Sequence, residues 1–441
     1  MSNLLIKCMA VLTMTGEDGI IHRGEIAIRG GEICHVGASG STPGDFKADR
    51  ILDCPGMVAM PGLVNCHTHA AMTMLRGYAD DMPLMQWLKE KIWPMEDHLT
   101  AEDIYQGTLL SCAEMIKGGT TTFVDMYFEM EQVARAVEES GLRAVLSRGM
   151  AGFGPNAEKA MRENIELVEK WNGRAGGRIT VRFGPHAPYT CPPDYLKRVI
   201  EEAKRLGVGI HIHLAETLDE INEISEKYDK SPIRLMEETG LFELPVLAAH
   251  CVHVDDKDIE ILARRKVGIA HNPQSNMKLA SGIAPVSRML EAGATVGLGT
   301  DGASSNNNLD LLEEVRTAAF LQKLSTGDAS VLPAYQVLSM ATAGGAKALG
   351  LEEQIGCIKP GYKADMILFD MHKPHLYPLY DIYAQIAYAA LSSDVATVII
   401  DGQIVMENRR ILTLDEEAVM QAAGRSAKAL VERKNASQKN K

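Results

Sequence analysis

PGLVNCHTH, residues 61–69, is a short apolar run that ends in two histidines two positions apart. In an extended chain residues i and i+2 point to the same face, so both imidazoles can reach one ion. The device repeats downstream. TTTFVDM, RAVLSRG, ITVRFGP, VGIHIHLAE, PVLAAHC, KVGIAH and ATVGLGTD are further short apolar runs separated by stretches of helical character. From Val58 to Asp301 this gives eight strand candidates, which predicts an α/β fold close to a (β/α)8 TIM barrel. A doubly wound sheet is the alternative. Polar residues at the C-terminal ends of at least six strands favour the barrel, whose active sites sit at that rim.

The flanks have another texture. Residues 1–57 and 355–441 carry short Ile- and Val-rich strands broken by Gly and Asp turns, with Asp401-Gly402 a hairpin signal. Neither piece holds a core alone, so both ends together predict one small β-sandwich domain with a helical C-terminal tail, around a barrel spanning 58–354. Residues 70–99, with Trp87, Trp93, Pro94 and five methionines, are too long for an ordinary βα loop and read as a lid-like insertion over the barrel mouth.

Composition narrows the function. The 441 residues are 46% hydrophobic and include 45 Lys plus Arg against 58 Asp plus Glu, a formal charge of −13. That excludes a disordered or collagen-like chain and argues against a uniform phosphate-binding surface, so the expected partner is a small molecule and not a nucleic acid. Eight cysteines without a CxxC pair read as free thiols, which predicts a reducing, cytoplasmic setting. Leu4–Met14 reads as a strand and not a signal peptide. No run reaches the ~18 apolar residues of a membrane span.

His67, His69, His213 and Asp301 all fall at strand ends that a barrel brings to one rim. Three imidazoles and one carboxylate suit a single divalent ion, Zn²⁺ first, with Fe²⁺, Ni²⁺ or Mn²⁺ as alternatives, and such an ion lowers the pKa of bound water. The fourth strand ends at His186 where a bridging lysine would otherwise serve two metals, which favours a mononuclear centre. Glu216, three residues beyond His213, reads as a proton carrier facing water and substrate. Its plainer alternative is an N-cap or surface carboxylate of the helix that follows. His250 would orient or deprotonate the water, against a plain rim histidine, and His271 reads more as wall packing.

The motifs PGLVNCHTH (61–69), HLAET (213–217), AHCVHV (249–254), AHNPQSNMKLASG (270–282) and GLGTDGASSNNNLDL (297–311) together resemble the amidohydrolase superfamily. Within it they are most similar to the 5-methylthioadenosine/S-adenosylhomocysteine deaminases, from Met1 to about Leu430. The resemblance implies that His67, His69, His213 and Asp301 ligate the metal, while Glu216, His250 and Asp301 carry the acid–base chemistry. It implies further that Trp87 and Glu96 line a nucleoside pocket, with Glu96 on the ribose hydroxyls, and that His186 addresses the base or the ribose side. Arg148 and Arg162 would bind a homocysteine carboxylate, one of them from a neighbouring subunit. The implied reaction is hydrolytic deamination at adenine C6 by a homo-oligomer, a dimer or tetramer. Triazine hydrolysis and guanine deamination share much of this frame, and a silent barrel acting in assembly is the non-enzymatic alternative.

Overall fold

The computed structural model describes residues 3–154 and 156–439. Its central sheet is built of eight parallel strands: β5 (Leu63–Thr68), β6 (Thr120–Tyr127), β7 (Arg143–Met150), β8 (Ile179–Pro185), β9 (Ile210–Leu214), β10 (Val246–His250), β11 (Gly268–His271) and β12 (Thr295–Leu298). They follow one another in chain order around the sheet, as right-handed βα units require. Nearly every residue of these strands is buried, because one face meets the outer helices and the other fills the barrel. The predicted barrel is present, strand for strand.

The seam between β12 and β5 is closed by loop atoms just beyond the ladder. Asp301 N–H donates to His67 O (3.0 Å), and Thr300 N–H donates to Asn65 Oδ1 (3.1 Å). The GLGTD run allows the approach. A Cβ added to Gly297 would lie 2.4 Å from Cys66 Sγ, and one on Gly299 would lie 2.9 Å from the His67 amide nitrogen.

The remaining strands are β1 (Leu4–Leu12), β2 (Ile20–Arg29), β3 (Glu32–Ala38), β4 (Arg50–Pro61), β13 (Met366–Asp370), β14 (Val395–Ile400), β15 (Gln403–Glu407) and β16 (Arg410–Ile411). They form a second eight-stranded sheet in the order β16-β15-β14-β13-β4-β1-β2-β3, so the two chain ends share one ladder through β4 and β13. The sandwich expected from sequence takes the form of one continuous curled sheet. Its β2–β3 turn comes back to meet the segment before β13, where Ile33 N–H donates to Tyr362 O and Ala364 N–H to Gly31 O. Leu4, Ile6, Ile26, Met366, Leu368 and Ile399 fill the curl, while Leu12, Met60, Ile367 and Phe369 of the other face join the barrel's core. The boundary drawn after residue 57 falls inside β4, which runs on to Pro61.

Between β5 and β6, residues Leu84–Glu96 form one helical run with a wide π turn at Leu88–Ile92. Pro94 has no N–H to give the preceding turn and its ring crowds that turn's carbonyl, which accounts for the widening. The next helix, Ala101–Gly118, begins with the Thr100/Asp103 capping box and ends at Gly119 in the left-handed conformation. The C-terminal helix Glu416–Lys439 packs across this helix instead of on the terminal sheet: Ser426 and Arg433 both bond Asp103, and Arg433 Nε–H donates to His98 O. All eight cysteines are unpaired, and among the described residues no helix is long and apolar enough to cross a membrane.

Candidate metal centre and active site

Strands β5, β9 and the loop after β12 deliver His67, His69, His213 and Asp301 to one point. Asp301 Oδ1 lies 3.3 Å from both His67 Nε2 and His69 Nε2, and His69 Nε2 lies 3.3 Å from His213 Nε2. The other ring nitrogens explain the arrangement. His69 Nδ1–H donates to Met126 O (2.6 Å) and His213 Nδ1–H to His186 O (2.7 Å). Backbone carbonyls only accept, so both Nε2 atoms carry bare lone pairs and face each other without a proton between them. His67 Nε2 is buried and has no hydrogen-bond partner among the described residues, while its Nδ1 faces His211 Nε2 at 2.9 Å.

Electrostatics agree with this geometry. Burial pushes the His67 pKa down to about 4 and that of His213 well below its usual value, so both rings stay neutral. Burial acts to raise the Asp301 pKa, yet the carboxyl is held well below the usual range. Ser275 Oγ (2.7 Å) and Ser305 Oγ (2.9 Å) donate to Asp301 Oδ2, which turns Oδ1 toward the imidazoles. Three inward lone pairs and one carboxylate oxygen fit a four-coordinate divalent ion. His67, His69 and His213, and separately His67, His250 and Asp301, bring their ligand atoms within 4.8 Å of one another.

The cavity over this point has a volume of about 270 Å³. Glu216 and His250 line it together, with His250 Nε2 3.8 Å from Glu216 Oε2. Burial raises the Glu216 pKa, which suits a carboxyl that carries a proton. Glu220 fixes its backbone: its two carboxylate oxygens accept from Ala215 N–H and Glu216 N–H, both at 2.9 Å, while Ala215 sits at a φ of 53°. His250 donates through Nδ1 to Asn276 Oδ1 (2.8 Å), leaving Nε2 toward the cavity. Burial lowers the His250 pKa, but Glu216 and Asp301 more than reverse this and the net shift is upward.

The Leu84–Glu96 helix presents Leu84, Trp87, Leu88, Ile92, Trp93 and Glu96 to the cavity, a face at helical spacing. Trp87 Nε1–H donates to Ala79 O (2.9 Å), which locks the indole. Glu96 is half-buried and accepts from Tyr127 Oη (2.6 Å); desolvation raises its pKa. His186 lines the cavity with Nδ1 3.0 Å from Thr190 Oγ1, and burial pushes its pKa down to about 4.

Two expected substrate contacts are not in this cavity. Arg148 lies on β7 next to Ser147, whose hydroxyl bonds inside the barrel, so strand alternation turns Arg148 outward. Its guanidinium pairs with Glu163 (2.6 Å). Arg162 lies on the exposed face of the helix Asn156–Trp171. His271 is buried but does not line the cavity. Conversely, sequence reading missed Tyr127, Glu220, Asn276 and His211. Only His211 carried a signal, since His211 and His213 repeat the two-residue spacing of His67 and His69.

The sequence model of the Amidohydrolase family matches residues 58–405. A 5-methylthioadenosine/S-adenosylhomocysteine deaminase of Pelotomaculum thermopropionicum is 62% identical over 98% of this chain and 100% of its own. Its counterpart of the same name from Desulforudis audaxviator is 58% identical over 97% and 99%. Among solved structures, a zinc-bound adenosine deaminase from Xanthomonas campestris superposes with a TM-score of 0.93 at 33% identity, covering 97% of this chain and 98% of that one. With the barrel, the inward imidazoles and these likenesses in agreement, the chain belongs to the amidohydrolase family.

Proposed function

We propose that the protein hydrolyses the C6 amino group of adenine nucleosides that carry a 5′-thioether, 5′-methylthioadenosine and S-adenosylhomocysteine, releasing ammonia and the inosine analogue. The observation that carries this reading is the meeting, in one cavity, of three inward imidazole lone pairs and Asp301 with Glu216, whose pKa burial raises, and a half-buried Glu96. The names of the relatives support the substrate class.

His67, His69, His213 and Asp301 would hold one ion, zinc by preference. Such an ion supplies a water of lowered pKa as the nucleophile. Glu216 takes the first proton of the attacking water and gives it to ring N1, which makes C6 electrophilic. His250, protonated on both ring nitrogens as its upward pKa shift favours, donates from Nε2 to the attacking oxygen as it becomes tetrahedral. Asp301 takes the remaining hydroxyl proton and passes it to the departing amine, so water and nucleoside give ammonia and the C6 carbonyl product. Glu96 accepts from the vicinal ribose hydroxyls, a role that a flat triazine or a free guanine would leave unfilled. Within one chain Arg148 and Arg162 stay clear of the cavity, so a homocysteine carboxylate would meet an arginine of a second copy, in a dimer or tetramer. Eight free cysteines fit a reducing cytoplasm.

The test is ammonia release by zinc-reconstituted enzyme from methylthioadenosine, adenosylhomocysteine, adenosine, guanine and melamine in parallel. The reading expects turnover of the first two above the rest. Turnover of guanine or melamine alone would replace it.

A further inference from the structure

We infer that Ser147 and His211 form a one-way hydrogen-bond relay that fixes the tautomer of His67 and so keeps its Nε2 free for the ion, an inference that rests on the metal-site reading above. Ser147 Oγ lies 2.8 Å from the Asp125 carbonyl oxygen and 3.2 Å from His211 Nδ1. His211 Nε2 lies 2.9 Å from His67 Nδ1. A carbonyl can only accept, so the single hydroxyl proton of Ser147 goes to Asp125. The hydroxyl oxygen then accepts from His211 Nδ1–H. A neutral imidazole protonated on Nδ1 has its lone pair on Nε2, and that lone pair accepts from His67 Nδ1–H.

His67 Nε2 is thereby left bare. An independent observation agrees: that atom is fully buried and has no hydrogen-bond partner among the described residues, although Asp301 Oδ1 is 3.3 Å away. The reverse direction would protonate His67 Nε2 and set the Ser147 and Asp125 oxygens against each other at 2.8 Å with no proton between them. Asp125, Ser147, His211 and His67 are each fully buried, so no solvent competes to reset the relay. His69 and His213 reach carbonyls directly; His67 faces another ring, which could serve as donor or acceptor, and therefore needs its direction set from further back. Ser147 and His211 do not line the cavity and are positioning residues.

The test uses the full chain with Ser147→Ala and His211→Phe. Zinc affinity is measured by chelator competition, and the protonated nitrogen of His67 is read by NMR of the metal-free, ¹⁵N-histidine-labelled protein. Both variants are expected to bind zinc about 10–100-fold more weakly, and in Ser147→Ala the His67 proton is expected to move from Nδ1 to Nε2. If His211→Phe does not fold, Ser147→Ala decides alone. Zinc bound by Ser147→Ala as tightly as by the unaltered chain, with the His67 proton still on Nδ1, would overturn the relay and leave the metal site standing. Failure of the unaltered chain to bind zinc would remove the metal-site reading and the relay with it.

Discussion

The amide of Asp301 donates to the carbonyl of His67 across 3.0 Å, so a bond that closes the barrel also joins two of the proposed metal ligands. The same contact therefore serves both the closure of the sheet and the geometry of the site. Gly299 makes it sterically possible, since a Cβ there would meet Asn272 Oδ1 at 2.4 Å and the His67 amide nitrogen at 2.9 Å. Gly299→Ala is expected to cost about 1–3 kcal/mol of stability through overpacking and to weaken zinc binding as well. Gly16→Ala, where a Cβ meets nothing within 4 Å, is the neutral control. Denaturant melts and chelator competition on both variants check this.

Removing the ion should leave His69 Nε2 and His213 Nε2 facing each other at 3.3 Å with nothing to neutralise their lone pairs. Zinc added to chelated protein is expected to raise the melting temperature in a concentration-dependent way, because it binds the folded chain alone. His213→Ala should abolish that increment. Scanning calorimetry with and without zinc reads both effects.

Glu216 lies beside the lone-pair cluster, and burial raises its pKa. Glu216→Gln is expected to lower kcat roughly 10²–10⁴-fold, the usual worth of a positioned proton carrier, with zinc affinity unchanged. Turnover near that of the unaltered enzyme would remove its assigned role.

Glu220 holds the Ala215 and Glu216 amides with one carboxylate oxygen each. A carboxamide offers only one acceptor, so Glu220→Gln frees one of these buried amides and lets Glu216 shift. The expected result is a fall in kcat with little change in KM, measured by steady-state kinetics on methylthioadenosine.

Tyr127 Oη donates to Glu96 at 2.6 Å and orients the carboxylate that would meet the ribose. Tyr127→Phe should cost about 1 kcal/mol, or ~5-fold in kcat/KM, on nucleosides. Glu96→Gln should cost more, and more for nucleosides than for free bases. Equal losses on both substrate types would end the ribose assignment.

The sequence carried the barrel because each strand is an apolar run of the right length that ends in polar residues, and the same strand ends named His67, His69, His213 and Asp301. It also carried the union of both termini in one β layer, since neither piece contains enough apolar residues for a core. The shape of that layer, one curled sheet, depends on the β2–β3 turn meeting residues 361–364, a contact with no local signature. The C-terminal tail showed its helical character in sequence but not its docking face, which Asp103 decides across more than 300 residues of chain.

Linear order sets residue type and strand parity, and these were enough to name the donors of the metal site. Which nitrogen of each imidazole is bare was set only by the tertiary partners: Met126 O for His69, His186 O for His213, and the His211 ring for His67. The same is true of Arg148, whose outward turn follows from Ser147 facing the barrel interior. The physical reason is that a hydrogen bond fixes a proton by distance and direction in space, and neither is encoded in spacing along the chain.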